Sequence, residues 1–196
     1  MGGAAYKNGF VESKIAGVFQ MRIETQRLVL RSWLESDLEP FIRMNSDSEV
    51  MRFFPNTLGP AQTEQFYYNI LQEFSEYGYG LYATEENESG NFIGFIGFHW
   101  AIFDVAFCPC IEIGWRIDKK YWGRGYATEG AKACLEHGFT NLNFDEIYSF
   151  TGIINLPSQR VMQKIGMQFE QYFEHPKVPE GNPLRPHVCY RIKNSK

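Results

Sequence analysis

Polar and apolar residues alternate through Thr25–Ser32, and that two-residue period predicts a strand. Ser36 or Asp37 is a suitable cap for a short helix over Leu38–Met44. Val50–Pro55 is a compact apolar turn ended by its proline. Phe66, Ile70 and Phe74 recur at helical spacing and predict a helix over Ala61–Phe74. Strands follow at Tyr79–Thr84 and Asn91–Trp100, with Glu85–Gly90 as a polar hairpin loop. Ile111–Asp118 reads as a buried strand, Gly125–Phe139 as a helix and Asp145–Ile154 as a strand. Asn155 can cap a helix to Ile165, with Pro157 in its first turn and Gly166 as its stop. Phe169–Phe173 and His187–Ile192 close the chain as strands around a proline-rich loop. The order β-α-α-β-β-β-α-β-α-β-β predicts one mixed α/β layer with helices on both faces.

Composition narrows this picture. At 196 residues, one domain over residues 21–196 is expected, with residues 1–20 as a disordered or tag-like extension. A net charge of −4 and a pI near 5.6 argue against a nucleic-acid or anionic-membrane surface. No apolar run approaches the roughly 20 residues that span a bilayer, and residues 1–20 do not read as an export signal. A cytoplasmic location with free thiols is therefore expected. Cys108-Pro-Cys110 has no second cysteine pair at metal spacing, so no metal is implied.

The most informative stretch is Glu112-Ile-Gly-Trp-Arg-Ile-Asp118 followed by Tyr121-Trp-Gly-Arg-Gly-Tyr-Ala-Thr-Glu129. It reads strand, glycine-rich turn, helix. Gly123, Gly125, Tyr126 and Ala127 would present backbone N–H groups at a helix N-terminus, where phosphate binds without a special side chain. Arg124 adds charge at the phosphates or is a solvated loop residue. Gly123-x-Gly125-x-x-Thr128 lacks the third glycine of a dinucleotide fold.

Lys120-Tyr-Trp-Gly123-Arg-Gly125 fits the pattern Arg/Gln-x-x-Gly-x-Gly/Ala, with lysine in first place. Asn155-Leu-Pro-Ser158-Gln-Arg160-Val-Met-Gln-Lys164-Ile-Gly166 fits N-x-x-S-x-R-x-x-x-K-x-G. With both motifs in this order, the chain resembles the GCN5-related N-acetyltransferases (GNAT), and within them the RimJ/RimL-like branch. The resemblance implies a GNAT fold: a mixed, mostly antiparallel, V-splayed central sheet flanked by helices on both faces. It implies acetyl-CoA as cosubstrate, with its pantetheine bonded to the main chain of Trp115, Arg116 and Ile117. It also implies that Asn155 bonds the pantetheine and that Ser158 bonds or protonates the leaving sulfur, though Asn155 is equally a helix cap.

Glu112 is the first candidate for a general base. A carboxylate in an apolar strand is paired, hydrated or functional. Glu112, Gly114 and Arg116 share one strand face. Gly114 either clears room for the thioester or marks a bulge or close packing. Glu170 is the alternative base, and Tyr190 is an acid or a core residue. The histidines read as structural, with His175 and His187 ordering the proline-rich loop.

The expected reaction is direct acetyl transfer to a primary amine, either a protein N-terminus or a small molecule, by a monomer or homodimer. The alternative is a non-catalytic acyl-CoA-binding or sensing module, which would keep both motifs and lack a base.

Overall fold

The computed structural model describes residues 13–15 and 18–195. The alternating segments assemble into an eight-stranded sheet of order β3-β4-β5-β6-β7-β8-β10-β9. These strands are β3 (Arg22–Glu24), β4 (Leu28–Arg31), β5 (Leu81–Glu86), β6 (Phe92–Ala101), β7 (Cys110–Ile117), β8 (Glu146–Gly152), β9 (Gln168–Glu174) and β10 (Pro186–Lys193). Among the described residues four α-helices accompany them: α1 (Leu38–Ser46), α2 (Pro60–Tyr77), α3 (Tyr126–Thr140) and α4 (Leu156–Lys164). The expected extension over residues 1–20 lies outside the described residues, apart from β1 (Ser13–Ile15) and β2 (Val18–Gln20), which pair antiparallel.

Among the described residues the core has three clusters, and strand alternation separates the two that lie under the helices. Ile96 and Phe98 of β6 and Ile113 of β7 face α3 and α4, where they pack with Cys134, Leu135 and Met162. Phe95 of β6 faces the other way and packs with Trp33, Phe41, Tyr67 and Ile70 beneath α1 and α2. Phe41, Ile96, Phe98 and Ile113 are fully buried, and such side chains stabilise a fold by about 1.5–3 kcal/mol each. The helices thus cover both faces of a mixed, mostly antiparallel sheet, as the resemblance implies.

One junction sets the geometry of the cleft. β7 is laddered to β6 along its whole length, from Cys110 opposite Ala101 to Ile117 opposite Gly94. Its other neighbour, β8, runs parallel and shares one ladder pair, Glu112 opposite Tyr148. Past that pair the two strands part, so the β8-facing edge of β7 from Ile113 to Ile117 has no ladder partner among the described residues. The unpaired edge is the splay of the V, and apart from the Ile117 carbonyl, which accepts from Trp122 Nε1, its main-chain donors and acceptors require another partner.

Three sequence expectations need correction. The strand expected over Thr25–Ser32 is shortened to Leu28–Arg31: Thr25–Arg27 form a turn, in which Thr25 Oγ1 accepts from Leu28 N–H at 2.9 Å and donates to Glu129 at 2.7 Å. Glu85 and Glu86 extend β5 instead of starting the hairpin loop. Glu86 is buried because Tyr126, Ser89 and Arg124 all donate to its carboxylate. Asp37 does not cap α1: its carboxylate turns back to accept from Leu34 N–H at 2.8 Å and pairs with Arg31 at 2.7 Å.

Candidate active site

The splay opens into a cleft of about 890 Å3. Glu112, Gly114, Trp115, Arg116 and Ile117 of β7 form one wall, and Ser149–Gly152 of β8 form the other. Gly123, Gly125, Tyr126 and Ala127 close one end, and Asn155 and Ser158 at the start of α4 also line it.

The glycine loop presents backbone N–H groups at a helix start. Gly123 and Gly125 have φ of 75° and 82°, a region that an L side chain enters at a cost of roughly 1–2 kcal/mol. The first bond within α3 runs from Glu129 N–H to Gly125 O at 3.0 Å. The N–H groups of Tyr126, Ala127 and Thr128 therefore belong to the unsatisfied first turn, at the positive end of a 15-residue helix. Glu129 would oppose an anion there, but its charge is already engaged. Arg27 reaches it through Nε at 2.7 Å and Nη2 at 2.6 Å. Arg27 Nη1 also donates to the carbonyl of Arg124 at 2.9 Å, bracing the loop from behind.

The structure places the Arg124 side chain outside this seat. Its guanidinium pairs with Glu86 at 3.2 Å and does not line the cleft. The Glu86 carboxyl is held below its usual range, first by the Tyr126 hydroxyl, then by Ser89 and Arg124. At Ile117 the carbonyl accepts from Trp122 Nε1 at 2.7 Å, which ties the loop to the end of β7.

At the other helix start, Asn155 is the cap: its Oδ1 accepts from Ser158 N–H at 3.3 Å. Its Nδ2 donates to Thr151 Oγ1 at 2.9 Å, which fixes the turn between β8 and α4. Asn155 and Ser158 line the cleft from this cap, so the capping and ligand-facing readings coexist.

Glu112 stands at the apex, where the strands begin to part. It is half-buried beside the cleft. Desolvation raises its carboxyl; the His99 charge opposes this, Glu73 adds to it and Lys177 opposes it, leaving the group pushed up to about 7. A carboxylate tuned to that range can accept a proton near neutral pH. His99 lies opposite Glu112 in the β6–β7 ladder, and its Nδ1 is 2.5 Å from Glu73 of α2. Burial alone would lower the His99 imidazole, but the Glu73 hydrogen bond and the charges of Glu112 and Glu73 raise it. Glu73 and the bracing Arg27 were not singled out from the sequence. Both act across more than 20 residues of chain, and no local spacing connects them to the site.

Gly114 leaves open space. A Cβ built there meets only the Glu112 carboxylate, at 3.9 Å. Neither a bulge nor tight packing demands glycine, since the β6–β7 register runs unbroken through this point. Gly114→Ala is accordingly expected to fold normally, with a methyl group added beside Glu112. If transfer occurs there, kcat/KM falls about tenfold, because small misplacements of reacting groups are costly. Melting curves and initial rates on the same preparation check this; an unchanged rate would show that the reaction lies elsewhere.

Other candidates lie away from the cleft or within its walls. Glu170 pairs with Arg191 at 2.9 Å and does not line the cleft. Tyr190 is buried in the core, where its hydroxyl accepts from Gln163 Nε2 at 3.2 Å. His175 and His187 line the cleft with ring centroids 4.7 Å apart. Burial, then His187 and Lys177, push the His175 imidazole down to about 4. The Cys110 thiol is buried, and burial pushes it up, which disfavours a nucleophilic role. Among the described residues, no three His, Cys, Asp or Glu side chains gather as a metal site, and no helix is long and apolar enough to cross a membrane.

Comparison with known proteins agrees with this geometry. The family model described as "Acetyltransferase (GNAT) domain" matches residues 27–168. The uncharacterized N-acetyltransferase YnaD of Bacillus subtilis is 32% identical over 172 residues, covering 88% of this chain and 96% of its own. A solved GNAT-family acetyltransferase from Bacillus anthracis superposes with a TM-score of 0.75 at 30% identity, covering 90% of this chain and 100% of its own. RimL, a ribosomal L7/L12 alpha-N-protein acetyltransferase solved with coenzyme A, shares the fold at a TM-score of 0.72. It is 16% identical and covers 88% of this chain and 97% of its own. A splayed sheet, a glycine loop at a helix start and a matched family model over most of the chain lead to one conclusion: this chain belongs to the GNAT acetyltransferase family.

Proposed function

We propose that this chain acetylates a primary amine, with acetyl-CoA bound along the unpaired edge of β7 and Glu112 as general base. The observation that carries the reading is the placement of Glu112. It is a carboxyl group pushed up to about 7 at the apex of the splay, beside the open space at Gly114. Acetyl-CoA supplies an acetyl group activated as a thioester. The residues present fit it: the free edge over Trp115–Ile117 would hold the pantetheine, and the N–H groups of Gly123, Gly125, Tyr126 and Ala127 would hold the pyrophosphate. Arg124 contributes through its main chain, since its side chain serves Glu86.

Glu112 must be ionised to act, and above about pH 7 it accepts a proton from the incoming amine. As the amine nitrogen bonds to the acetyl carbon, the carbon–sulfur bond breaks and the sulfur leaves as thiolate. Ser158 and Asn155, at the α4 start, are the groups placed to donate to that side of the cleft. A thiol pKa near 8.5 makes a strong acid unnecessary. The raised Cys110 thiol favours direct transfer over an acyl-enzyme.

The RimJ/RimL-like motifs favour a protein N-terminus or a small primary amine as acceptor. Thiol release from acetyl-CoA across a panel of N-terminal peptides and small amines tests the reading. Release that requires an amine supports it, whereas tight CoA binding with no release on any amine would support a non-catalytic sensing module.

A further inference from the structure

Arg116 stands four residues from Glu112 on β7, on the same face, and lines the same cleft. Its surroundings are apolar. The rings of Phe54, Phe95 and Phe66 lie 4.3, 5.3 and 5.8 Å from its guanidinium carbon. Nη1 donates to Asn45 Oδ1 at 2.6 Å. Nε is shut away from solvent and has no acceptor, and no carboxylate pairs with this guanidinium among the described residues. Every other described arginine either holds a carboxylate or is exposed.

Withdrawing a guanidinium from water costs several kcal/mol. Three ring faces and one neutral amide offset part of this, and burial still pulls the group down to about 10. A purely structural clip between β7 and α1 would need only a neutral donor to Asn45. The charge therefore points to an anion that arrives with a ligand.

The cofactor's pyrophosphate is not that anion if it sits at the start of α3. That helix packs on the sheet face carrying Ile113 and Ile117. Phe95, against which Arg116 lies, belongs to the opposite face, and Phe66 to the helix α2 that covers that face. We propose that Arg116 binds a carboxylate on the acceptor through Nη2, which Asn45 leaves free, so that the acceptors are amines bearing a carboxylate several bonds from the nitrogen. A charge-assisted hydrogen bond to a carboxylate suits this donor. Strand rise sets the Cα atoms of Gly114 and Arg116 about 6–7 Å apart, and the guanidinium lies beyond its own Cα, so acceptors of several lengths are compared: 4-aminobutyrate, 6-aminohexanoate and an N-terminal dipeptide. This rests on the proposed transfer to an amine at Glu112.

The test uses matched acceptors: 4-aminobutyrate against butylamine, 6-aminohexanoate against hexylamine, and glycylglycine against glycylglycinamide. With the native protein, the carboxylate member of at least one pair should show a kcat/KM at least tenfold higher. In Arg116→Lys and Arg116→Met that ratio should fall towards one. Because each ratio is internal to a variant, altered folding or cofactor affinity cancels from it. A parallel binding assay compares protection against thermal unfolding, with CoA present, by 4-acetamidobutyrate and by N-butylacetamide. Extra protection by the acid in native protein, lost in both variants, supports the site. A native ratio near one, or a ratio unchanged in both variants, overturns it even if amines are acetylated. Arg116-dependent protection with no turnover of any amine would instead uphold the carboxylate site and overturn the transfer reading.

Discussion

Glu112→Gln should lower kcat by about 10²- to 10⁴-fold, the range that loss of a general base produces, while CoA affinity changes little. The pH dependence is the sharper readout. In the native protein, kcat/KM should rise with pH through about 7 as the Glu112 carboxyl of the free enzyme ionises. The residual rate of the variant should lose that step. Stability should move the other way. The folded-state value lies above the ordinary carboxylate value of 4.5, so the fold favours the protonated form. The stability contribution of this group is fully present below 4.5 and is lost as pH rises through about 7. Above pH 7 the native protein holds a desolvated charge that glutamine removes, and Glu112→Gln should melt at an equal or higher temperature at pH 8. A variant that is slower yet no less stable marks a functional carboxylate. One that is destabilised at pH 8 with its rate unchanged would show Glu112 to be a structural group.

Gly125→Val should weaken CoA binding by about 100-fold, measured by calorimetry or by the CoA dependence of the thermal midpoint. Two effects combine. A β-branched residue at a φ of 82° is strained by roughly 1–2 kcal/mol or more. Its side chain also enters a turn braced by Arg27, whose Nη2 would lie 3.6 Å from the new Cβ. Relief of that strain re-aims the N–H groups of Tyr126 and Ala127, which are the proposed phosphate donors. The contrast with Glu112→Gln is diagnostic: one substitution acts on affinity and the other on rate, at opposite ends of a single cleft. Unchanged CoA affinity in Gly125→Val would remove the loop from the binding site.

The sequence carried the local parts of this arrangement well. The strand–turn–helix from Glu112 to Glu129 and the Asn155 cap lie where the glycines, the asparagine and the helical periodicity put them, because each depends on contacts a few residues apart. The shared face of Glu112, Gly114 and Arg116 follows from the two-residue period of a strand. Long-range charge pairing was not legible. Glu129 neutralised by Arg27, Glu86 buried beneath Tyr126 and Arg124, and Glu73 against His99 each join segments distant in the chain. These pairings explain why Thr25–Arg27 turn and why the Arg124 side chain does not line the cleft. Arg116 was placed on the Glu112 face by the strand period, but only the packed structure shows its guanidinium among three aromatic rings with no carboxylate.

The central claim is that the parting of β7 and β8 receives acetyl-CoA with its thioester beside Glu112. A crystal structure with bound CoA tests it most directly. The pyrophosphate should lie on the N–H groups of Gly123 to Ala127. The pantetheine should run along the free edge of Trp115–Ile117, and the sulfur should sit beside Gly114 within reach of Glu112 and Ser158. A pyrophosphate bound away from this loop, or a sulfur remote from Glu112, would contradict the account.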